Sequence, residues 1–223
     1  MSSLTVRQYK NSDFPAVKKI FIEGCHKLAY TAFFHGLKLP HNWVLMLLGF
    51  LLPLLSVGSI FLAILDVVIV LVVLWLCGRR FFYGYATECM ADDMKDISKY
   101  YLQREGYNFW VVESDGELVG TVAAVPSYLP SVEKNTELKR MNVVSSHRGK
   151  GISKVLCRTV IEFAHKKGSK AVVLSTTTLQ MPATCLYRSM GFKCTNISDM
   201  TQFTERLISM QWIFFRYDIP SSK

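Results

Sequence analysis

The chain has 223 residues, half of them hydrophobic, and a formal net charge of +9. This length fits one sizeable domain, or one domain with an accessory element. The six cysteines are scattered without a C-x-x-C pair, so neither a zinc site nor a disulfide framework is predicted. The basic residues accompany no nucleic-acid-binding motif, and we expect no nucleic-acid partner. The positive charge instead favours an anionic partner, such as lipid headgroups or a phosphorylated cofactor.

The first predicted elements are a strand and a helix. Residues 4–9 alternate between apolar and polar side chains, which indicates a strand. Ser12 is expected to cap the following helix, with Asp13 and Pro15 in its first turn. We expect Gly24 to weaken this helix.

A long apolar segment runs from Trp43 to Cys77, with 35 residues and Asp66 as the only charge. One membrane-spanning helix needs about 20 apolar residues, so the segment is too long for one crossing and slightly short for two. A hydrophobic helical hairpin therefore fits better than one long helix or a buried helix pair. The residues that favour a turn near the middle are Pro53, Ser56, Gly58 and Ser59.

After the apolar segment the chain has the pattern of a mixed domain of strands and helices. Arg79, Arg80 and the aromatic residues of 81–85 suit a membrane interface. An acidic pair at 92–93 is expected to open a helix that Gly106 ends. The later elements are a β-hairpin of 107–113 and 117–125 around Asp115-Gly116, a strand at 135–144, a turn at 145–150, an amphipathic helix stopped by Gly168, a strand at 171–176, a short helix at 182–190, and strands at 192–197 and 210–217.

The turn at 147–153 has the composition of an anion-binding loop. It reads His-Arg-Gly-Lys-Gly-Ile-Ser and joins a predicted strand to a helix. At a helix start, free backbone N–H groups and the helix dipole attract negative charge, and glycine lets a phosphate approach the main chain. The glycine spacing fits neither a P-loop nor a Rossmann turn. The turn therefore suits a pyrophosphate, while a basic turn that only caps the helix is the alternative.

Two strings resemble a known superfamily. Arg148 and Gly151 match the acetyl-CoA signature Arg/Gln-x-x-Gly-x-Gly/Ala of the GCN5-related N-acetyltransferase (GNAT) superfamily, with Ser153 in place of the last small residue. The string 186–192, Leu-Tyr-Arg-Ser-Met-Gly-Phe, resembles the Leu-Tyr-x-x-x-Gly-Phe motif of the same superfamily. Gln180 stands where many members have Asn, so the role of that Asn is not carried over.

The apolar insert after the first helix makes the chain similar to the camello-like, N-acetyltransferase 8 family. Further strings with this similarity are Arg79-Arg80, Met94-x-x-Ile97, Phe109-Trp110-Val111 and Val119-Gly120. The resemblance implies an α+β GNAT fold, with a mixed, mostly antiparallel sheet and flanking helices, interrupted by the hydrophobic hairpin. The expected units are 1–41, the first strand and helix; 42–78, a membrane-embedded hairpin; 79–217, the rest of the domain with the acetyl-CoA site; and 218–223, a tail.

The resemblance also implies the site residues. The main chain of Met141, Asn142 and Val143 is expected to hold the pantetheine arm of acetyl-CoA. Tyr187 matches the tyrosine that protonates the CoA thiolate, and a phenol of pKa about 10 is protonated at neutral pH. The residues expected to hold the pyrophosphate are Arg148, Gly149, Lys150, Gly151, Ile152 and Ser153. No metal is implied.

The general base is open at this stage. Glu137 lies on the strand before the turn, near where some relatives place a carboxylate base, but a solvent-exposed glutamate is an equal alternative. A water relay from a main-chain site would need no side-chain base. His147 and His165 are weaker candidates.

The function implied is a membrane-anchored N-acetyltransferase that acts on a primary amine, with the α-amine of a cysteine S-conjugate or a similar small amphipathic molecule as the first expectation. Acetylation of protein lysines, including those of histones, and an inactive membrane scaffold are the alternatives. Both ends of the insert must lie on one side, because the domain is completed on both sides of it. Flanking basic residues indicate the cytosolic face of the endoplasmic reticulum or ER–Golgi membrane. Asn196 would then stay unglycosylated, and we expect Asp66 to be shallow or paired.

Overall fold

The computed structural model describes residues 4–127, 134–200 and 203–220. The elements in chain order are β1 (Leu4–Gln8), α1 (Phe14–Gly36), α2 (Pro40–Val57), α3 (Ile60–Ala91), β2 (Asn108–Ser114), β3 (Glu117–Ser127), β4 (Asn135–Val143), α4 (Ile152–Lys166), β5 (Ala171–Thr177), α5 (Met181–Ser189), β6 (Lys193–Asp199), α6 (Phe203–Leu207) and β7 (Gln211–Asp218).

The strands form one seven-stranded sheet in the order β1-β2-β3-β4-β5-β7-β6. Every pair is antiparallel except β4 and β5, which are parallel. These two strands pair only at Thr136 with Val172 and at Glu137 with Val173, so they separate after Glu137. The predicted mixed, mostly antiparallel sheet with flanking helices is confirmed. The separation of β4 and β5 opens the sheet at its centre.

The predicted hydrophobic hairpin is also confirmed. Helices α2 and α3 are joined at Gly58, which has a φ of +69°, and Ser59, whose side chain accepts a hydrogen bond from the Leu62 amide. Both helices are long and apolar enough to cross a membrane. Their apolar side chains are mostly exposed, up to 80% for Leu55. Asp66 lies six residues into α3, about 9 Å from its start at 1.5 Å per residue.

The helix predicted to open at residues 92 and 93 is wrong in its first part. Helix α3 does not stop with the apolar segment but continues to Ala91, and turns followed by a π-helical segment at Ser98–Leu102 lead to β2. The carboxylate of Asp93 binds Arg140 and Tyr101, so it is not available to cap a helix.

Gly24 does not weaken α1, which runs through it to Gly36. A Cβ atom at Gly24 would lie 2.7 Å from the Asn142 side-chain oxygen. The glycine therefore allows the helix to approach β4 closely, which sequence alone does not distinguish from a helix break.

The start of α1 also differs from the prediction. Ser12 does not cap it: a short 3-10 turn at Asn11–Asp13 comes first, and α1 begins at Phe14. The Asp13 carboxylate accepts from the Lys10 amide at 2.8 Å and pairs with Arg7 at 2.7 Å. These bonds hold the polar end of β1 against the start of α1.

Candidate active site

A cavity of about 130 Å³ lies where β4 and β5 separate. Four residues predicted for the site line it: Glu137, Met141, Asn142 and Tyr187. The rest of its lining is Phe21, Gly24, Cys25, Leu28, Tyr85, Leu138, Lys139, Arg140, Ser175, Thr176 and Gln180. Side chains from both faces of the sheet therefore meet in one space.

The two faces contribute different groups. Tyr187 belongs to a buried cluster with Leu138 of β4 and Leu174 of β5, on the side covered by α4 and α5. Because side chains alternate along a strand, Glu137 and Ser175 lie on the opposite face, toward α1 and α3. A molecule held in the gap could thus be reached by Tyr187 from one side and by Glu137 from the other.

Tyr187 is held in α5 by aromatic packing. Its ring lies 5.6 Å from that of Phe192 and 5.7 Å from that of Phe215, centroid to centroid, and the residue is 6% exposed. In the part of the chain that the structure describes, no protein group hydrogen-bonds its hydroxyl. Burial raises the pKa of Tyr187 above its ordinary value, with a smaller contribution from Cys157. The phenol is therefore neutral and free to donate a proton or a hydrogen bond.

Glu137 is half-buried at the last step where β4 and β5 pair. Its neighbours in the sheet are Val173 of β5 and Val125 of β3. A carboxylate at this point borders the opening in the sheet. His147 and His165 are not in the cavity lining: His147 lies in the short turn after β4, and His165 is exposed on the last turn of α4.

The turn at 148–153 has the geometry of an anion cradle. Gly149 and Gly151 have φ values of +80° and +81°, and a Cβ atom at either would meet no atom within 4 Å, so the turn is open. The amides of Lys154 and Val155 donate to the Gly151 carbonyl. The amides just before them begin α4 without intrahelical acceptors.

The remaining residues of this turn have structural or surface positions. Arg148 is exposed, but its Nε donates to the Val143 carbonyl at 3.1 Å, which ties the turn to the end of β4. Lys150 is exposed and Ser153 is half-buried, while Ile152 is 1% exposed and anchors α4 in the core. Val143 is buried, and Met141 lies against Cys157, whose Sγ is 3.7 Å from its sulfur.

Arg140 is a site residue that the sequence did not reveal. It has a φ of +52° within β4, where Arg140 and Met141 form a bulge opposite β3. Its guanidinium donates to both carboxylate oxygens of Asp93, at 2.8 and 2.7 Å, and to the Tyr85 hydroxyl. Its carbonyl accepts from the Thr121 hydroxyl at 2.9 Å. These bonds fix the bulged strand beside the cavity.

Thr176 is a second residue that the sequence did not reveal. It is 4% exposed, and among the described residues its hydroxyl has no hydrogen-bond partner although it lines the cavity. A buried hydroxyl without a partner costs free energy unless a ligand or water binds it. The next residue, Thr177, is equally buried and also without a partner, but it is not part of the cavity lining.

Comparisons with known proteins agree with this geometry. The profile described as "Acetyltransferase (GNAT) family" matches residues 73–192. The chain is 42% identical to N-acetyltransferase 8 of Rattus norvegicus, with all of both chains covered. It is 38% identical to N-acetyltransferase 8B of Homo sapiens, over 100% of this chain and 98% of that protein.

Solved structures share the fold at low identity. A GNAT-family acetyltransferase from Staphylococcus aureus Mu50 has a TM-score of 0.54 at 15% identity, over 98% of this chain and 100% of that one. A Salmonella typhimurium structure that holds its cofactor acetyl-CoA has a TM-score of 0.54 at 14% identity, over 98% of this chain and 95% of that one.

Proposed function

Since the chain belongs to the acetyltransferase (GNAT) family and to its N-acetyltransferase 8 branch, we propose that it is a membrane-anchored enzyme that transfers acetyl from acetyl-CoA to the α-amine of a small amphipathic acceptor. A cysteine S-conjugate is the acceptor we favour. The observation that carries the proposal is the cavity between β4 and β5, with Tyr187 on one face and Glu137 on the other.

The residues around the cavity fit acetyl-CoA. The open turn at 148–153 presents two glycines, the start of α4 and the exposed side chain of Lys150, which suits a pyrophosphate. The separated edge of β4 at Met141, Asn142 and Val143 would offer main-chain groups to the pantetheine arm. This arm then leads from the turn toward Tyr187.

Acetyl transfer requires a neutral amine, a thioester held in place and a proton for the departing thiolate. Tyr187 supplies the proton, because its buried phenol is neutral at physiological pH. Glu137 takes the proton of the amine, directly or through a water molecule, from the opposite face. The two proton transfers thus occur on different sides of the sheet and do not compete.

The acceptor side of the cavity suits a molecule with an apolar part. Phe21, Cys25 and Leu28 of α1 line it together with Tyr85 of α3. An apolar substituent on sulfur would pack against these side chains, and the α-amine would point into the gap in the sheet. A lysine side chain presents the same amine on a flexible apolar stem, so lysine peptides are the competing acceptors in the test.

We place the membrane-embedded part at 42–78. From Ile60 to Gly78 α3 rises about 28 Å at 1.5 Å per residue, close to the roughly 30 Å of a bilayer core. Strand β1 pairs with β2, for example at Val6 with Val112, so both ends of the hairpin belong to one folded domain. The basic residues Lys38, Arg79 and Arg80 at its base favour the cytosolic side of the endoplasmic reticulum or ER–Golgi membrane.

The activity is tested with membranes that contain the protein. Release of CoA is measured with acetyl-CoA and three acceptor classes: cysteine S-conjugates, free amino acids and lysine peptides. We expect S-conjugates to be acetylated fastest. Absence of CoA release with all three, together with no binding of acetyl-CoA, would overturn the proposal. Faster acetylation of lysine peptides would transfer the function to protein acetylation.

The topology is tested by glycosylation reporters. A glycosylation acceptor site introduced at the hairpin tip, between Val57 and Ser59, is expected to be modified only if the hairpin spans the membrane. The natural pattern at Asn196 lies on the exposed strand β6 and is expected to stay unmodified. A glycan on Asn196 would place the catalytic domain in the lumen and contradict the proposed orientation.

A further inference from the structure

The cavity is continuous with a cluster of apolar side chains at the base of the hairpin. We call this the basal cluster; its residues are Ala29, Ala32, Phe82, Leu179, Met200, Ile208 and Met210, with Leu28, Phe81, Tyr83 and Trp212 partly buried against them. Leu28 belongs both to this cluster and to the cavity lining, and Leu179 directly precedes the lining residue Gln180. One layer of side chains therefore separates the cavity from the base of the hairpin.

The hairpin is fastened to the segment between β6 and β7 at this level. The side-chain amide of Asn42, at the start of α2, donates to the carbonyls of Gly36 at 2.8 Å and Leu207 at 3.0 Å. His41 Nε2 lies 3.1 Å from the same Leu207 oxygen. Asn42 is fully buried. The wall of the catalytic domain that contains Leu207 and Ile208 is thus held directly on the apolar hairpin.

The side chains around this base match a bilayer interface. Tyr30 and Phe34 on α1 are 52% and 59% exposed, and Trp43 at the start of α2 is 62% exposed. The ring of Tyr83 is stacked on His26 at 4.1 Å and lies 5.0 Å from the Arg79 guanidinium carbon. Aromatic rings beside basic groups are typical of the headgroup level. Phe34 is six residues from Leu28, which is about 9 Å along the helix.

From this continuity we infer that the acceptor enters the cavity from the bilayer, as a primary amine whose apolar tail is dissolved in the membrane. The inference rests on the proposed function and adds the pool from which the substrate is taken. The amine reaches past Leu28 into the gap between β4 and β5, while the tail lies along the exposed aromatic face of α1. Each methylene of the tail raises membrane partition about fourfold, so the bilayer concentrates such acceptors at the entrance.

The test uses acceptors that cannot leave the membrane. The protein is reconstituted into phosphatidylcholine vesicles with acetyl-CoA. Three cysteine S-conjugates are compared: a soluble S-benzyl-cysteine, a cysteine whose sulfur is attached directly to a two-chain lipid anchor, and the same anchor with a long polyethylene glycol spacer before the sulfur. We expect the directly anchored acceptor to be acetylated, at a rate per acceptor in the bilayer at least equal to that with the spacer.

A variant pair links the result to the entrance. Leu28→Ser is expected to lower the ratio of the rate with the directly anchored acceptor to that with S-benzyl-cysteine by about fivefold, because a polar residue interrupts the apolar path. Ile161→Ser changes a partly buried residue of α4 on the other face of the sheet and should leave this ratio unchanged.

Three outcomes would count against the inference in different ways. Acetylation of the soluble and spacer-bearing acceptors without the directly anchored one would overturn the bilayer entrance and leave the proposed function intact. An equal change of the ratio in Leu28→Ser and Ile161→Ser would also overturn it. Failure of all three acceptors would overturn the proposed function itself, and the entrance with it.

Discussion

Asp93 and Arg140 form a buried two-point ion pair that joins the end of α3 to the strand beside the cavity. The shorter contact is 2.7 Å, and the side chains are 3% and 7% exposed. Helix α3 is continuous from the hairpin tip to Ala91, two residues before Asp93. The pair therefore connects one leg of the apolar hairpin to the bulge of β4, where the acetyl-CoA arm is expected to bind.

Loss of one partner of this pair is predicted to destabilise the fold strongly. Asp93→Ala leaves the Arg140 guanidinium buried without its counter-charge, which costs about 3–5 kcal/mol of unfolding free energy. The double variant Asp93→Ala, Arg140→Met should recover much of this loss. The measurement is thermal or denaturant unfolding in detergent micelles.

An exposed ion pair provides the control for this prediction. Lys19 and Glu23 lie 4.0 Å apart with side chains 75% and 61% exposed. Glu23→Ala should change stability by less than about 1 kcal/mol, since surface pairs contribute little. Similar losses in Asp93→Ala and Glu23→Ala would contradict the structural role given to the buried pair.

Tyr187→Phe is predicted to lower kcat about 10²-fold without a comparable change in acetyl-CoA affinity, because it removes a proton donor and keeps the packed ring. Tyr217→Phe, a partly buried tyrosine of the same cluster, is the matched control. Because burial raises the pKa of Tyr187, its protonated form stays populated up to and beyond pH 10. An alkaline fall of kcat below that pH that disappears in Tyr187→Phe would contradict this assignment.

Glu137→Gln tests the general base. If the carboxylate takes the proton of the amine, kcat at neutral pH should fall by about 10²-fold, and the loss should shrink as the pH rises and the free amine is already neutral. The measurement is kcat against pH for both proteins. A variant with the natural rate would assign proton removal to a water relay from the main chain.

Gly151→Val is predicted to weaken acetyl-CoA binding by about tenfold or more, because a β-branched residue at φ +81° distorts the turn and narrows the cradle. Gly168→Val is a matched control, since Gly168 has a φ of +69° and equally open surroundings at the other end of the same helix. Binding is measured by calorimetry. Equal affinity losses in the two variants would show a general strain effect in place of a binding site.

Thr176→Val is predicted to reduce kcat/KM by about three- to tenfold, the value of one hydrogen bond to a bound molecule, and Thr176→Ser should restore it. Thr177→Val removes an equally buried hydroxyl from the same strand outside the cavity. It should keep the natural activity. A greater loss in Thr177→Val than in Thr176→Val would refute a ligand role for Thr176.

Local periodicity was enough to predict most elements. The alternation around Asp115-Gly116 gave the β-hairpin, and the apolar stripe that Gly168 ends gave α4. The family resemblance was confirmed by the match over residues 73–192. These features depend on neighbours in sequence, where the side-chain period and the turn residues carry the information.

The parts that could not be predicted depend on contacts between distant residues. The bulge at Arg140 and its bond to Asp93 join positions 47 residues apart. The glycine at 24 reads as a helix breaker, because its contact with Asn142 comes from a strand more than a hundred residues later. Thr176 looks like any strand threonine until β4 and β5 separate around it. The roles of Tyr187, Glu137 and the turn residues stay predictions.

The pairing of β1 with β2 across the hairpin sets an order for the making of this protein. The ribosome releases β1, then both apolar legs, and only later the strand that β1 must join. The legs meet the translocation machinery before any sheet exists to hold them, and the sheet closes afterwards around a fixed hairpin. A chain whose legs miss the bilayer keeps an unpaired strand and a bare apolar hairpin, both of which chaperones and proteases detect. The cell therefore completes the catalytic sheet only in chains that have first been accepted by a membrane.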